Sequence, residues 1–174
     1  QGKYEKAEPL YQEALAMFKH LLGESHPDVA TILNNLGLLY YSQGKYEKAE
    51  PLLQQALAMY KHPLGESHPD VATSLNNLAG LYKSQGKYEK AEPLYQEALA
   101  MFKHLLGESH PYVATSLNDL AGLYHDQGKY EKAEPLYQQS LAMSKYLLGE
   151  SHPAVATSLN NLAGLLAATD RPVE

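Results

Sequence analysis

The sequence predicts an all-α fold, an α-solenoid of stacked helix–turn–helix units with about eight helices. Three observations carry this. The text QGKYEKAEPL of residues 1–10 restarts at Gln43, Gln85 and Gln127, a period of 42 residues. Within each copy apolar residues recur at spacings of three and four, the pattern of a helix with one buried face. Each copy is also punctuated twice, by Gly-Lys and by LGESHP, the glycine and proline signals that close one helix and open the next. Self-similarity at a period between about 20 and 50 residues marks an array in which each unit packs mainly on its neighbours.

The first helix expected spans 4–20, where Ala7, Leu10, Tyr11, Ala14, Leu15 and Phe18 share a face and Lys6, Gln12, Glu13 and Lys19 fill the other. Pro9 lies near its start and predicts a bend rather than a break, repeated at Pro51, Pro93 and Pro135. Gly23 suits a left-handed residue that ends the helix. Pro27 suits the first turn of the next helix, with Ser25 and Asp28 at capping-box spacing. Tyr112 and Ala154 replace that acid in later copies, so the cap is expected to weaken along the chain. Pro63 replaces a leucine and is expected to end its helix early. The next helix runs from about 27 to 42. Val29, Leu33, Leu36, Gly37 and Tyr40 lie on one side, with Thr31, Asn34, Asn35, Leu38 and Tyr41 roughly opposite.

Continued in this way, the chain reads as one array over 1–168 with no second domain. It opens on the helix 4–20, continues through repeats at about 27–62, 69–104 and 111–146, closes on a helix at 153–168, and leaves 169–174 as a frayed tail. Gln1 falls in mid-pattern, so a segment of a longer array is expected.

Composition narrows the function. There is no cysteine, which removes disulfides, thiolate metal sites and thiol nucleophiles and fits a reducing, cytoplasmic setting. A net charge of −6 argues against a nucleic-acid binder. No apolar run approaches the roughly 18 residues of a membrane helix, so no membrane contact is expected. His26, His68, His110 and His152 recur one unit apart, whereas ligands to one ion must stand about 2.1 Å from it, so no metal is expected. A repeated Ser25-His26 neighbour pair lacks the convergent geometry of a catalytic triad. No enzyme activity, no catalytic residue and no cofactor are expected.

The helix–turn–helix unit resembles the tetratricopeptide repeat. Leu36, Gly37 and Tyr40 fall where that family places the Leu, Gly and Tyr of its first helix; Ala49, Leu53 and Ala56 fall at the small and aromatic positions of its second. The matching residues are Leu78, Ala79, Tyr82, Ala91, Tyr95 and Ala98 in the next unit, then Leu120, Ala121, Tyr124, Ala133, Tyr137 and Ser140. The family's usual period is roughly 34 residues. The longer unit here, with LGESHPDVAT, LNNLAGLY and QGKYEKAEPLYQEAL, is similar to the kinesin light chain type, in which Leu33, Leu75, Leu117 and Leu159 stand where the general pattern has tryptophan. The resemblance implies a right-handed superhelix whose concave groove, lined by first helices, binds extended segments of partner proteins. It also implies that groove asparagines hold the ligand backbone: Asn34, Asn35, Asn76, Asn77, Asn118, Asn160 and Asn161. Asp119 departs from that pattern.

Comparison of the copies with one another locates the candidate site further. Copies one and three differ at seven positions, and four of these (35, 38, 41 and 42) lie on the side of the first helix away from its apolar stripe. Glu8 and Lys6 of the second helix do not vary, which makes variation on the opposite face informative. Thr31, Thr73, Thr115 and Thr157 form a polar ladder beside the asparagines, whose amides offer both donors and acceptors. Gly80 and Gly122 sit inside helices facing the groove, where each costs on the order of 1 kcal/mol relative to alanine; either they leave room for a ligand, or they are a neutral exchange with Gly37-Leu38, which reverses the small and large residues. Leu38 and Tyr41 offer an apolar anchor. Lys83 and His125 are the few basic groups there, and with Asp119 and Asp126 they argue against acidic C-terminal peptides as ligands.

The function expected is a protein-interaction scaffold or adaptor that binds a peptide segment of a partner. Two alternatives remain. One is self-assembly head to tail, because the helices 4–20 and 153–168 each lack a neighbour and Leu162, Leu165 and Leu166 stay apolar. The other is an engineered consensus array without a natural ligand, because the copies are nearly identical.

Overall fold

The computed structural model describes residues 2–169. Among the described residues there are eight α-helices and no strand: α1 (Gly2–Leu22), α2 (Pro27–Ser42), α3 (Tyr46–Leu64), α4 (Pro69–Ser84), α5 (Tyr88–Leu106), α6 (Pro111–Asp126), α7 (Tyr130–Leu148) and α8 (Pro153–Ala168). The expected tail lies outside the described residues except for Thr169, which caps α8. Contacts group the chain into two compact units, one up to Lys87 (α1–α4) and one from Tyr88 on (α5–α8).

In unit 1, α2 packs against α1, α3 and α4. That surround explains its burial. Val29, Leu33, Leu36 and Tyr40 are buried as their spacing predicts, and so are Ala30 and Leu39 from outside the predicted stripe. The second helix contributes Ala49, Leu53, Ala56 and Tyr60. At Gly37 α2 and α3 approach closely, since a Cβ there would stand 2.9 Å from Leu53 Cγ. In unit 2, α6 packs in the same way against α5, α7 and α8, with Val113, Leu117, Leu120, Leu123 and Tyr124 buried against Ala133 and Tyr137.

Two sequence expectations are corrected. The helix carrying Pro63 does not end early; α3 runs on to Leu64 and has 19 residues, as do α5 and α7. Proline's fixed φ is itself helical, and in a last turn its missing N–H forfeits a single bond. The second correction concerns the caps. Ser25 caps nothing; the N-cap of α2 is His26, whose Nδ1 accepts from the Asp28 backbone N–H at 3.2 Å. The same bond recurs at His68, His110 and His152, to the N–H groups of Asp70, Tyr112 and Ala154, at 3.2, 3.2 and 3.1 Å. Because the cap uses a backbone donor, loss of the acidic side chain does not weaken it.

The glycines behave as the sequence predicts at both punctuation points. Gly23 and Gly107, for example, each have φ +89°, a left-handed value that L side chains rarely adopt. α1, α5 and α7 run uninterrupted through Pro9, Pro93 and Pro135.

Candidate functional site

The predicted site residues sit on the exposed or half-buried sides of α2, α4, α6 and α8, except Gly122, which was expected to face the groove and is instead buried within the packing of α6. In unit 1 the structure joins Asn34 and Asn77: the Asn77 amide Nδ2 donates to Asn34 Oδ1 at 3.1 Å. In unit 2 Asn161 Nδ2 donates to Asn118 Oδ1 at 3.0 Å. The second asparagine of one copy thus holds the first asparagine of the copy before it. Each pair keeps an uncommitted Nδ2 donor on one amide and an uncommitted Oδ1 acceptor on the other. All four side chains are half-buried, so the amides are fixed yet reachable.

The threonines turn inward to their own helices. Thr31, Thr73, Thr115 and Thr157 each donate to the carbonyl four residues back, at Pro27, Pro69, Pro111 and Pro153, over 2.9–3.2 Å. Thr31 also meets the Tyr60 hydroxyl at 2.8 Å. Tyr41 bonds Ser84 at 2.9 Å, which with the Asn34–Asn77 bond ties α2 to α4 twice in unit 1, and it also packs on Tyr46 of α3. His125, at the equivalent place in unit 2, packs on Tyr130 with Asp126 beside it at 3.6 Å. Asn35, Asn76, Leu38, Gly80, Lys83 and Asp119 are half-buried, Asn160 is exposed, and Gly122 is buried.

The constancy of Glu8 and Lys6 has a structural cause. Tyr40 donates to Glu8 at 2.8 Å, Tyr82 to Glu50 at 3.1 Å and Tyr124 to Glu92 at 2.9 Å. Lys48 and Lys132 stand over the Tyr40 and Tyr124 rings at 5.2 and 5.3 Å. These positions are held by packing, so their lack of variation does not measure how freely an exposed residue drifts. Burial pushes the Glu50 carboxyl up, but hydrogen bonds from Lys87, Tyr82 and Gln85 outweigh it and hold the group below its ordinary value. Burial, with Asp126 and Asp119 nearby, pushes the Tyr137 phenol up to about 12.

The histidine caps and the tyrosine–glutamate bonds were missed in the sequence. Their signal was present, as His and Glu constant in all four copies and Tyr in three of them, with Leu166 in the last, but constancy alone does not name the partner. Among the described residues no group of three His, Cys, Asp or Glu side chains is placed to hold a metal, and no helix is long and apolar enough to cross a membrane.

The family profile of the tetratricopeptide repeat matches residues 1–62, 70–146 and 112–174. No curated protein matches the chain. Among solved structures, BtubC (BKLC) from P. vanneervenii is 33% identical with a TM-score of 0.84, covering 97% of this chain and 67% of that one. The nearly identical TPR-like repeats of a kinesin light chain-type protein from Podosopora anserina are 27% identical with a TM-score of 0.78, covering 97% and 80%. The apo form of RapI, 16% identical with a TM-score of 0.77 over 97% of this chain and 45% of that one, shares the fold. Repeats of this kind generally mediate protein–protein interaction and are typically not enzymes. The chain belongs to the tetratricopeptide repeat family, with kinesin light chain-like repeats.

Proposed function

We propose that this chain is an adaptor module that holds an extended segment of a partner protein along the asparagine-bearing faces of its first helices. The paired amides carry the reading. Asn34 with Asn77, and Asn118 with Asn161, each present one free donor group and one free acceptor, the complement of a peptide unit's C=O and N–H. Such contacts recognise a backbone whatever its side chains. The thin basic character beside them (Lys83, His125) favours neutral or apolar segments over acidic ones. On this reading the module works in the cytoplasm without a cofactor.

The test is selection of binders from a displayed random-peptide library, followed by measurement of their affinity for Asn34→Ala and Asn118→Ala. Loss of a ligand hydrogen bond costs about 1–1.5 kcal/mol, so each replacement should weaken binding roughly tenfold. Binders indifferent to both replacements would sink the proposal.

A second reading, self-association, rests on α1. Leu10, Met17 and Leu21 lie on one face and are 65%, 56% and 69% exposed, a stripe fitted to another apolar helix. Light scattering across concentration distinguishes it: a strict monomer at high concentration excludes it.

A further inference from the structure

The second helices carry a large aromatic residue at one internal position in three copies: Phe18, Tyr60 and Phe102. The fourth copy has Ser144. In unit 1, Tyr60 closes the space between α2 and α4 and is 6% exposed, with its hydroxyl on Thr31. In unit 2 the corresponding space between α6, α7 and α8 is hollow. It is a cavity of about 180 Å³ lined by Ala114, Thr115, Asn118, Ser140, Ser144 and Ser158, with Ala154 and Thr157 at its α8 side. Thr115 and Thr157 are exposed and form its mouth; Ala114, Ser140, Ser144 and Ser158 are buried and form its floor. Tyr146, two residues after Ser144, does not fill it, being 83% exposed.

The size and chemistry of the hollow are specific. Cavities of about 150 Å³ accept a benzene ring. The polar groups fix which ring. Ser140 is committed, its Oγ donating to the Ala114 carbonyl at 2.7 Å. Ser144 and Ser158 are each 3% exposed and line the floor. Ser158 has a serine counterpart in unit 1, Ser74, whereas Ser144 stands where unit 1 has the Tyr60 ring, so Ser144 is the group that opens the space in unit 2. Thr115 supplies the direction. A hydroxyl has one proton, and Thr31 gives its proton to the Pro27 carbonyl at 3.1 Å, so at 2.8 Å it must accept from Tyr60. Thr115 makes the same bond to Pro111, also at 3.1 Å, and presents the same acceptor lone pair to the cavity.

We infer that this cavity is a binding site for a phenol, which takes in trans the place that Tyr60 takes within unit 1, its ring over Ser144 and its hydroxyl donating to Thr115. The ligand is a free para-substituted phenol or the tyrosine side chain of a polypeptide. The site does not rest on backbone capture by the paired amides, since a free small molecule is enough to probe it.

Calorimetric titration of the full chain with p-cresol should give saturable one-to-one binding. 4-Methylanisole, which has the ring but no donor, should bind at least tenfold more weakly. Ser144→Phe fills the hollow with this array's own residue and should abolish p-cresol binding while circular dichroism and melting show an intact fold. Thr115→Val should weaken p-cresol several-fold and leave 4-methylanisole unchanged. N-acetyl-tyrosinamide separates the two sources: binding like p-cresol assigns the site to a tyrosine side chain, and exclusion of the amide assigns it to a free phenol. Absence of saturable p-cresol binding, equal binding by the anisole, or binding retained in Ser144→Phe overturns the inference.

Discussion

The three-helix group α2–α3–α4 and its counterpart α6–α7–α8 are built from nearly the same text, yet one is filled and the other hollow. Both tie their first helices through an asparagine pair, at 3.1 Å in unit 1 and 3.0 Å in unit 2. Both cap those helices with histidine. Around the hollow three side chains differ: Ser144 where unit 1 has Tyr60, Ser140 where it has Ala56, and Ala154 where it has Asp70, and the first of these removes the most volume. In a repeat array each interface is local, so an exchange at one position changes one interface and leaves the others standing. That is how a scaffold of near-copies can hold a unique site.

The contrast can be broken from either side. The largest effect is expected for Tyr60→Ser, which carves the unit 2 hollow into unit 1. Truncating a buried aromatic costs about 3–5 kcal/mol, read as a lower midpoint in urea unfolding. If the cost is under 1 kcal/mol, Tyr60 is not a core ring. The reverse change, Ser144→Tyr, should stabilise by about 1–2 kcal/mol through cavity filling, with the new hydroxyl received by Thr115 as Thr31 receives Tyr60. Next come the caps. His68→Ala and His152→Ala should each cost about 1 kcal/mol in thermal unfolding, and by nearly equal amounts, although Asp70 follows one and Ala154 the other. A cost seen at His68 alone would return the cap to the acidic side chain.

The smallest effect concerns Tyr137 and is read only above pH 10. Its folded value lies above the ordinary 10.0, so the buried phenol stays protonated while an unfolded chain ionises. Stability from this group is fully present below pH 10 and is lost as pH rises from 10 towards about 12. Tyr137→Phe should flatten that part of the stability profile, and an unchanged slope would exclude Tyr137 as its source.

The candidate site was legible in the sequence only in part. The asparagines were located by their position on the helix, but their pairing across 43 residues required the helices to be laid side by side. The threonines looked like free polar groups and proved to be satisfied by their own helix backbone. Glu8 looked like an unconstrained surface residue until Tyr40 was found bonded to it. In each case the sequence names a donor or an acceptor, and only proximity decides which partner takes it.

What the sequence determined by itself is the repeat, the all-α class, the helix order, the glycine-led turns and most of the buried stripe. These depend on spacing and backbone preference, which are local and recur every 42 residues. Tertiary structure alone decided that α2 is buried on more than one side, that histidine rather than serine caps the first helices, that α3 continues through Pro63, and that Ser144 leaves a hollow. The physical reason is common to all four: each outcome depends on which groups compete for the same space or the same hydrogen bond. That competition exists only once neighbouring helices are in place.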